Sequence, residues 1–535
     1  MYQQQAAALA TDEDYLSFCH RNAQWLTPYS AFCLLRDQYH TADFSSWPQY
    51  STYDQAGILS LVHLHAAEAG YYMYVQFLLH TQLSAVAAYA HQHRVVLKGD
   101  IPIGISRYSV EAWVEPYYFN MDSQAGAPPD DFSVNGQNWG FPTYNWARMA
   151  QDGYQWWIRR FQKMADYFDA YRIDHVLGFF RIWQIPSHSI HGLIGYFSPA
   201  LPLSAAEIEQ LGLCYRYEFF TRPYITDEVL TQVFGSKAEK VASRFLDERG
   251  DGTYDLKPQF STQRMVQAYF AQSSVKFSAD VCEGLYHLID NVLFVPDAVQ
   301  PELLHPRIAV QKASVFQALT PQEQKAFNEL YEDYFYHRHN DFWYAHAMKK
   351  LPALVQSTRM LVCAEDLGMV PSCVKPVLDN LKILSLEIQT MPKVYGQAFA
   401  RLEDNPYRSV ATIFTHDMPT LRGWWQEDYQ RAQRYYQQAL QHHGFAPQQI
   451  TGELCQEVVA RHLASPSMLC LISLQDWLSI DEEVRLPDAD AERINIPADP
   501  HHYWGYRMHV NIEDLIANKD LCSRIRCLIA DSERS

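Results

Sequence analysis

An α/β fold, built as a parallel β/α barrel, is the architecture this sequence predicts. Three observations carry it. Short apolar runs at 170–173, 359–364, 383–390, 409–417 and 468–478 are separated by helical stretches, the alternation of a parallel sheet covered by helices. Several runs end in a carboxylate (Asp174, Glu365, Asp417), and barrels place their chemistry where strands end. The length of 535 residues suits a barrel with insertions better than one ordinary domain.

Taken in order, residues 1–12 read as frayed. Asp12 or Asp14 is placed to cap a helix running to about Arg36. A second helix is expected from about Tyr71 to His93, with Ala-rich and Leu-rich faces. Val95, Val96 and Leu97 then read as a buried strand ended by Gly99 and Asp100. Residues 126–146, GAPPDDFSVNGQNWGFPTYNW, read as a loop, punctuated by Gly, Pro, Asn and Asp. Phe132, Trp139, Phe141 and Trp146 give it too many rings for disorder, which favours a lid facing a ligand over a plain surface loop. A helix from Tyr154 to about Tyr167 leads into the strand at 170.

Beyond Pro186 the strand signals stop. Residues 187–315 read as short helices, with Ser204 as one N-cap, and Pro321 starts a longer helix after them. RGDGTYD and FVPDAVQPEL interrupt them as turns. The region carries no catalytic pattern and is expected to be an inserted subdomain. Strands resume at 359.

Composition narrows the function. Lys plus Arg is 43 against 61 Asp plus Glu, a net charge of −18, which disfavours nucleic acid as a partner. A neutral ligand is the expectation, and 35 Tyr with 13 Trp would suit sugars, although most such rings fill cores. The ten cysteines show no C-x-x-C and no zinc spacing, so reduced thiols, no metal and a cytoplasmic setting are expected. No basic-then-apolar leader and no membrane-length apolar run is visible.

Arg172 lies two residues before Asp174, on the same face of an extended chain. A guanidinium there would hold the carboxylate ionised and aimed, as a carboxylate nucleophile requires. A structural ion pair would look the same. Glu365 and Asp417 follow at separations of 191 and 52 residues, so only a closed sheet could gather the three. Glycoside chemistry with retention needs two carboxyls about 5–5.5 Å apart, one attacking the anomeric carbon and one serving as acid and then base. A third acid can bind sugar hydroxyls as the oxocarbenium ion forms.

RIDH, AEDLG and THDMPTLRGWW, with LKGDIPIG, the 126–146 segment and RINIPADPHHYWGYR, resemble the 4-α-glucanotransferase (amylomaltase or disproportionating enzyme) family, glycoside hydrolase family 77, closest to its plant-type cytosolic branch. The resemblance implies a (β/α)8 TIM-type barrel and no cofactor. It implies Asp174 as nucleophile, Glu365 as general acid/base and Asp417 as stabilising acid. Arg172 and His416 would hold the nucleophile and the sugar, and Asp100 and Asn495 would line the substrate site. In the lid, Trp139 and Phe132 are the aromatic candidates, because Asp131 stands where relatives often carry a ring. Met418 stands where many relatives have Asn.

The implied reaction transfers a glucosyl unit or short 1,4-α-glucan from a donor such as maltose to the 4-hydroxyl of another glucan. Maltose, malto-oligosaccharides and glycogen or starch-like glucan are the implied partners, without nucleic acid or membrane. A net α-glucan hydrolase and a catalytically silent glucan-binding fragment are the alternatives. On this resemblance residues 1–186 supply strands like the family's third and fourth with the lid, 187–315 the helical insertion, and 316–535 strands like the fifth to eighth. Nothing in 1–94 resembles the first two strands. An incomplete barrel of six main strands, with a gap beside 95–103 and little activity alone, is therefore expected.

Overall fold

The computed structural model describes residues 2–129, 133–272, 277–394, 396–497, 499 and 502–534. The chain forms two compact units, Met1–Ala170 with Gly178–Met360, and Tyr171–Leu177 with Leu361–Ser535.

The first unit begins as helices. Asp12 caps Glu13–Arg21 by accepting from the Tyr15 amide at 2.9 Å. The helix expected to run on to Arg36 breaks at Asn22, whose Nδ2 turns back to the Phe18 carbonyl at 2.7 Å, and Ala23–Tyr39 starts anew. Gln55–Leu64 and Ala66–Gln92 follow. Phe32, Leu35, Trp47, Ile58, Leu61 and Trp113 form the core between these helices.

No strand precedes Lys98 among the described residues. Here Val95 and Val96 correct the sequence reading: they are 51% and 71% exposed, and the strand is Lys98–Ile101. The chain is still closing the preceding helix there. Arg94 takes φ +58°, and the Val95 amide reaches the Ala90 carbonyl at 2.8 Å, a left-handed helix stop. Leu97 then bonds to Asp169 and Ala170.

The 126–146 segment is partly sheet, not wholly loop. Gln137–Asn138, Ser123–Ala127, Ile182–Pro186 and Tyr196–Ser198 pair in that order, antiparallel throughout. Gly126 permits it: a Cβ there would lie 2.0 Å from the Gln137 carbonyl oxygen. The central strands show no period-2 pattern because both of their faces are covered: Ser123, Gln124 and Ala125 are buried in one, and Ile182, Trp183 and Ile185 in the other.

Residues 187–315 carry helices around a core that includes Ile225, Leu230, Phe245, Val266 and Leu285. Both turn signals connect small antiparallel ribbons, Leu246–Glu248 with Tyr254–Leu256 and Phe294–Pro296 with Leu304–Pro306. Ser204 with Glu207 and Thr320 with Glu323 form complete capping boxes, as their spacing predicts.

The second unit holds the main strands. Ala170–Ile173, Leu361–Ala364, Ser385–Ile388, Ser409–Thr412 and Leu469–Cys470 lie side by side in chain order. Pairing is parallel between Ser385–Ile388, Ser409–Thr412 and Leu469–Cys470. A parallel bridge from Cys363 to Leu384 joins the two sheets. Cys363, Leu384, Leu386, Ile388 and Val410 pack on the strands. Trp424, Trp425, Val458, Val459 and Leu463 form a core from the surrounding helices. The run at 468–478 is strand only at Leu469–Cys470, because Ser473 caps the helix Leu474–Leu478 by accepting from the Asp476 amide at 3.0 Å. No helix among the described residues is long and apolar enough to cross a membrane.

Candidate active site

The second unit brings most of the sequence-predicted residues to the ends of its strands. Tyr171, Arg172 and Ile173 are buried in extended chain. Asp174 comes directly after, and Arg172 Nη2 donates to its Oδ1 at 2.8 Å. The pair is half-screened at most, with 10% of the Arg172 and 31% of the Asp174 side chain exposed. The next residue, His175, takes φ +45°, a conformation that non-glycine residues rarely adopt and that concentrates at functional sites.

That bend has a consequence for Glu365, which follows the strand Leu361–Ala364. The His175 amide donates to Glu365 Oε2 at 3.0 Å, and the Leu367 amide donates to Oε1 at 2.8 Å. The backbones also interlock, Glu365 N to Ile173 O at 2.9 Å and Val176 N to Glu365 O at 3.0 Å. Burial and the neighbouring Asp174 charge push the Glu365 carboxyl up to about 7, against the opposing pull of the Leu367 amide and Arg172. A carboxyl poised near neutrality beside an arginine-held carboxylate is the division of labour expected of an acid/base and a nucleophile.

Asp366 is structural. Its Oδ1 accepts from the Leu386 amide at 2.8 Å and its Oδ2 pairs with Lys393 at 2.7 Å, tying this strand to the next.

Asp417 stands in the loop after Ser409–Thr412. Asn495 Nδ2 donates to Asp417 Oδ1 at 2.7 Å, and His416 Nε2 lies 3.3 Å from Oδ2. The Asn495 amide donates in turn to the His416 carbonyl at 3.1 Å. Trp504 Nε1 donates to Asn495 Oδ1 at 2.8 Å, and its ring, 57% exposed, lies 5.3 Å from that of His416. The carboxylate therefore has a fixed orientation beside an accessible indole face.

In the first unit, Asp100 is exposed on Lys98–Ile101. Trp139 is half-buried, stacked on Phe141 at 5.7 Å, with Nε1 donating to Gln137 Oε1 at 3.1 Å. Phe132 and Asp131 lie outside the described residues. Two residues that bond to this set, His175 and Trp504, are not among the sequence candidates. His175 holds Glu365 by its backbone amide, which residue type does not reveal, with its Nδ1 4.0 Å from the same oxygen. Trp504 lay in a recognised segment, but only its bond to Asn495 distinguishes it from other rings.

Comparisons with known proteins identify the family of the chain. The glycoside hydrolase family 77 profile, 4-alpha-glucanotransferase, matches residues 1–512. The rice (Oryza sativa subsp. japonica) protein named 4-alpha-glucanotransferase DPE2 is 39% identical over 529 residues, covering 97% of this chain. The chain spans 56% of that relative's length. The Chlamydia pneumoniae 4-alpha-glucanotransferase is 23% identical over 516 residues, 96% of this chain and 70% of that protein. The Streptococcus agalactiae amylomaltase, solved in complex with acarbose, shares the fold with a TM-score of 0.60 at 16% identity, covering all of this chain and 78% of that one. With the profile spanning nearly the whole sequence, the chain belongs to the 4-alpha-glucanotransferase family, glycoside hydrolase family 77.

Proposed function

We propose that the chain carries the catalytic machinery of a retaining 4-α-glucanotransferase built on a (β/α)8-type barrel. The observation that carries this reading is the Arg172–Asp174–Glu365 arrangement, an aimed carboxylate beside a carboxyl raised to about 7. Asp174 attacks the anomeric carbon of a 1,4-α-linked donor while protonated Glu365 delivers its proton to the leaving 4-oxygen. Glu365, now a carboxylate, then deprotonates the 4-hydroxyl of the acceptor, which displaces Asp174 and restores the α-configuration. Asp417, oriented by Asn495 and His416, binds sugar hydroxyls and favours the oxocarbenium-like transition state.

Maltose and short malto-oligosaccharides are the proposed donors, and glycogen-like or starch-like glucan the acceptor. The rice relative's name and the acarbose complex of the streptococcal protein support that choice. Asp100, Trp139 and Phe132 are proposed to line the glucan path, and 187–315 to act as a peripheral subdomain. A cytoplasmic setting belongs to the same reading and is supported by the buried thiols of Cys33 and Cys455. Transfer outcompetes hydrolysis only if water is kept from the covalent intermediate.

Chromatography of products from maltose, with and without glycogen, tests the reading. Glucose release matched by lengthened glucan is expected, at the low rate that a barrel of six main strands sustains. Glucose without lengthened product would favour a hydrolase, and glucan affinity without turnover a silent binding chain.

A further inference from the structure

Away from the three carboxylates, the first unit gathers a second set of chemistry-bearing groups. His191, His287 and Asp290 each bring a donor atom within 4.8 Å of the others. Glu283 joins them: His191 Nε2 lies 3.0 Å and His287 Nε2 3.8 Å from the same oxygen, Oε1. Glu283 and His287 stand one turn apart on the helix Ala279–Ile289, so both project from one face. His191 arrives from the segment after Ile182–Pro186.

We propose that His191, His287 and Glu283 form a binding site for a divalent transition metal ion of the zinc class. Around a tetrahedral ion held at ~2.0–2.1 Å, neighbouring ligand atoms sit about 3.3 Å apart. The two contacts to Glu283 bracket that value, so small side-chain adjustments complete the site. Two imidazoles with one carboxylate are a donor set that zinc accepts.

The surroundings fit a metal ligand better than a lone ion pair. His191 Nδ1 faces Asp290 Oδ2 at 2.7 Å, which keeps that nitrogen protonated and turns Nε2 toward Glu283. Asp290 is itself fixed, since Gln263 Nε2 donates to its other oxygen at 2.8 Å. Gln263 Oε1 accepts from the amides of Ile190 and His191 at 2.7 and 2.9 Å. A buried carboxylate orienting an imidazole, with its own partner behind it, is the outer shell that metal-binding histidines carry. Access remains open, because His287 and Glu283 are about half exposed, at 46% and 48%.

Asn135 extends the site to the 126–146 segment. Its Nδ2 is 3.3 Å from Glu283 Oε1 and 3.5 Å from His191 Nε2. The amide's oxygen and nitrogen are nearly interchangeable in shape, so a flip supplies a fourth ligand, an oxygen. The Asn135 carbonyl already accepts from the Gly192 amide at 2.8 Å. A bound ion would therefore clip this segment to the helix Ala279–Ile289.

The test uses the purified full chain, stripped with a chelator and titrated with Zn2+ by calorimetry and with Co2+ by visible spectroscopy. One ion per chain is expected, with the intense visible bands of tetrahedral Co2+. His287→Ala and Glu283→Gln, at half-exposed positions, should each weaken binding at least tenfold while chelator-treated samples unfold at the wild-type temperature. His20→Ala, at an exposed position on another helix, should bind as wild type. Absence of Zn2+ uptake, equal affinity in the two site variants, or equal weakening by His20→Ala would overturn the proposal.

Discussion

Arg172 Nη2, in the strand Ala170–Ile173, donates to Oδ1 of Asp174, the first residue after it, at 2.8 Å. The guanidinium is buried, so the pair is not a screened surface bridge but a device that fixes where the carboxylate points.

Asp174→Asn keeps that shape and removes the attacking charge. Turnover of maltose should fall by several orders of magnitude while glucan affinity persists, since binding and chemistry use different groups. Steady-state rates and glucan-affinity electrophoresis check this. More than about a tenth of the wild-type rate, a loss of only ~1.4 kcal/mol, would be too much for a nucleophile.

Glu365 should reveal itself through pH. Its carboxyl is raised from 4.5 to about 7, so the native state keeps a proton that the unfolded chain has already released in that window. The associated stability is present in full below the lower value and is lost as pH rises through the upper one. Glu365→Gln, always neutral, should exceed wild type in stability at pH 8 by on the order of 3 kcal/mol and nearly match it at pH 4. Thermal unfolding of both proteins measures the gap, and a constant gap would contradict the assignment. Wild-type kcat/KM should also fall as pH rises through about 7, because the general acid is lost.

In the same variant, a glucosyl donor with a good leaving group needs no proton in the first step. Formation of the intermediate from such a donor should be nearly spared, whereas maltose should react at least a hundredfold more slowly. Equal losses on both donors would remove Glu365 from the acid role.

Asn495→Ala deletes the donor to Asp417 and the acceptor for Trp504 Nε1. A loss of about 10- to 100-fold in kcat/KM is expected from one oriented, charge-assisted hydrogen bond. Trp504→Phe should cost less than Asn495→Ala, because the ring face remains. Kinetics on maltotriose would rank the two, and the reverse order would mean that Asn495 acts elsewhere.

Behind that loop, Arg422 and Glu492 form a buried ion pair at 2.5 Å, 5% and 2% exposed, with Thr420 Oγ1 donating to Glu492 at 3.0 Å and Arg422 bonding to the Leu486 carbonyl. Arg422→Leu leaves the carboxylate unpaired and should lower stability by about 3–5 kcal/mol. The double variant Arg422→Leu with Glu492→Leu should recover much of it. Denaturant unfolding distinguishes the two, and an unaltered single variant would show that the pair carries no weight.

Features that lie within a few residues of their cause are legible in the order of amino acids. Apolar runs mark the strands that carry Asp174 and Glu365, Ser204 as an N-cap and Pro321 at a first helical position announce two helix starts, and Arg172 two places before Asp174 announces a shared face. Each follows from backbone period and local hydrogen bonding, which act over one or two turns. The other features arise only on folding. The elevation of Glu365 depends on burial and on a charge 191 positions earlier, the aim of Asp417 on an asparagine 78 positions later, and the His191–Glu283–His287 grouping on two distant segments. Val95 and Val96 failed as a strand and Ser123–Ala127 succeeded as one for the same reason: which backbone comes alongside is settled by neighbours far away in the chain. Desolvation and Coulomb fields belong to the space around a residue, and that space is filled only when the chain has folded.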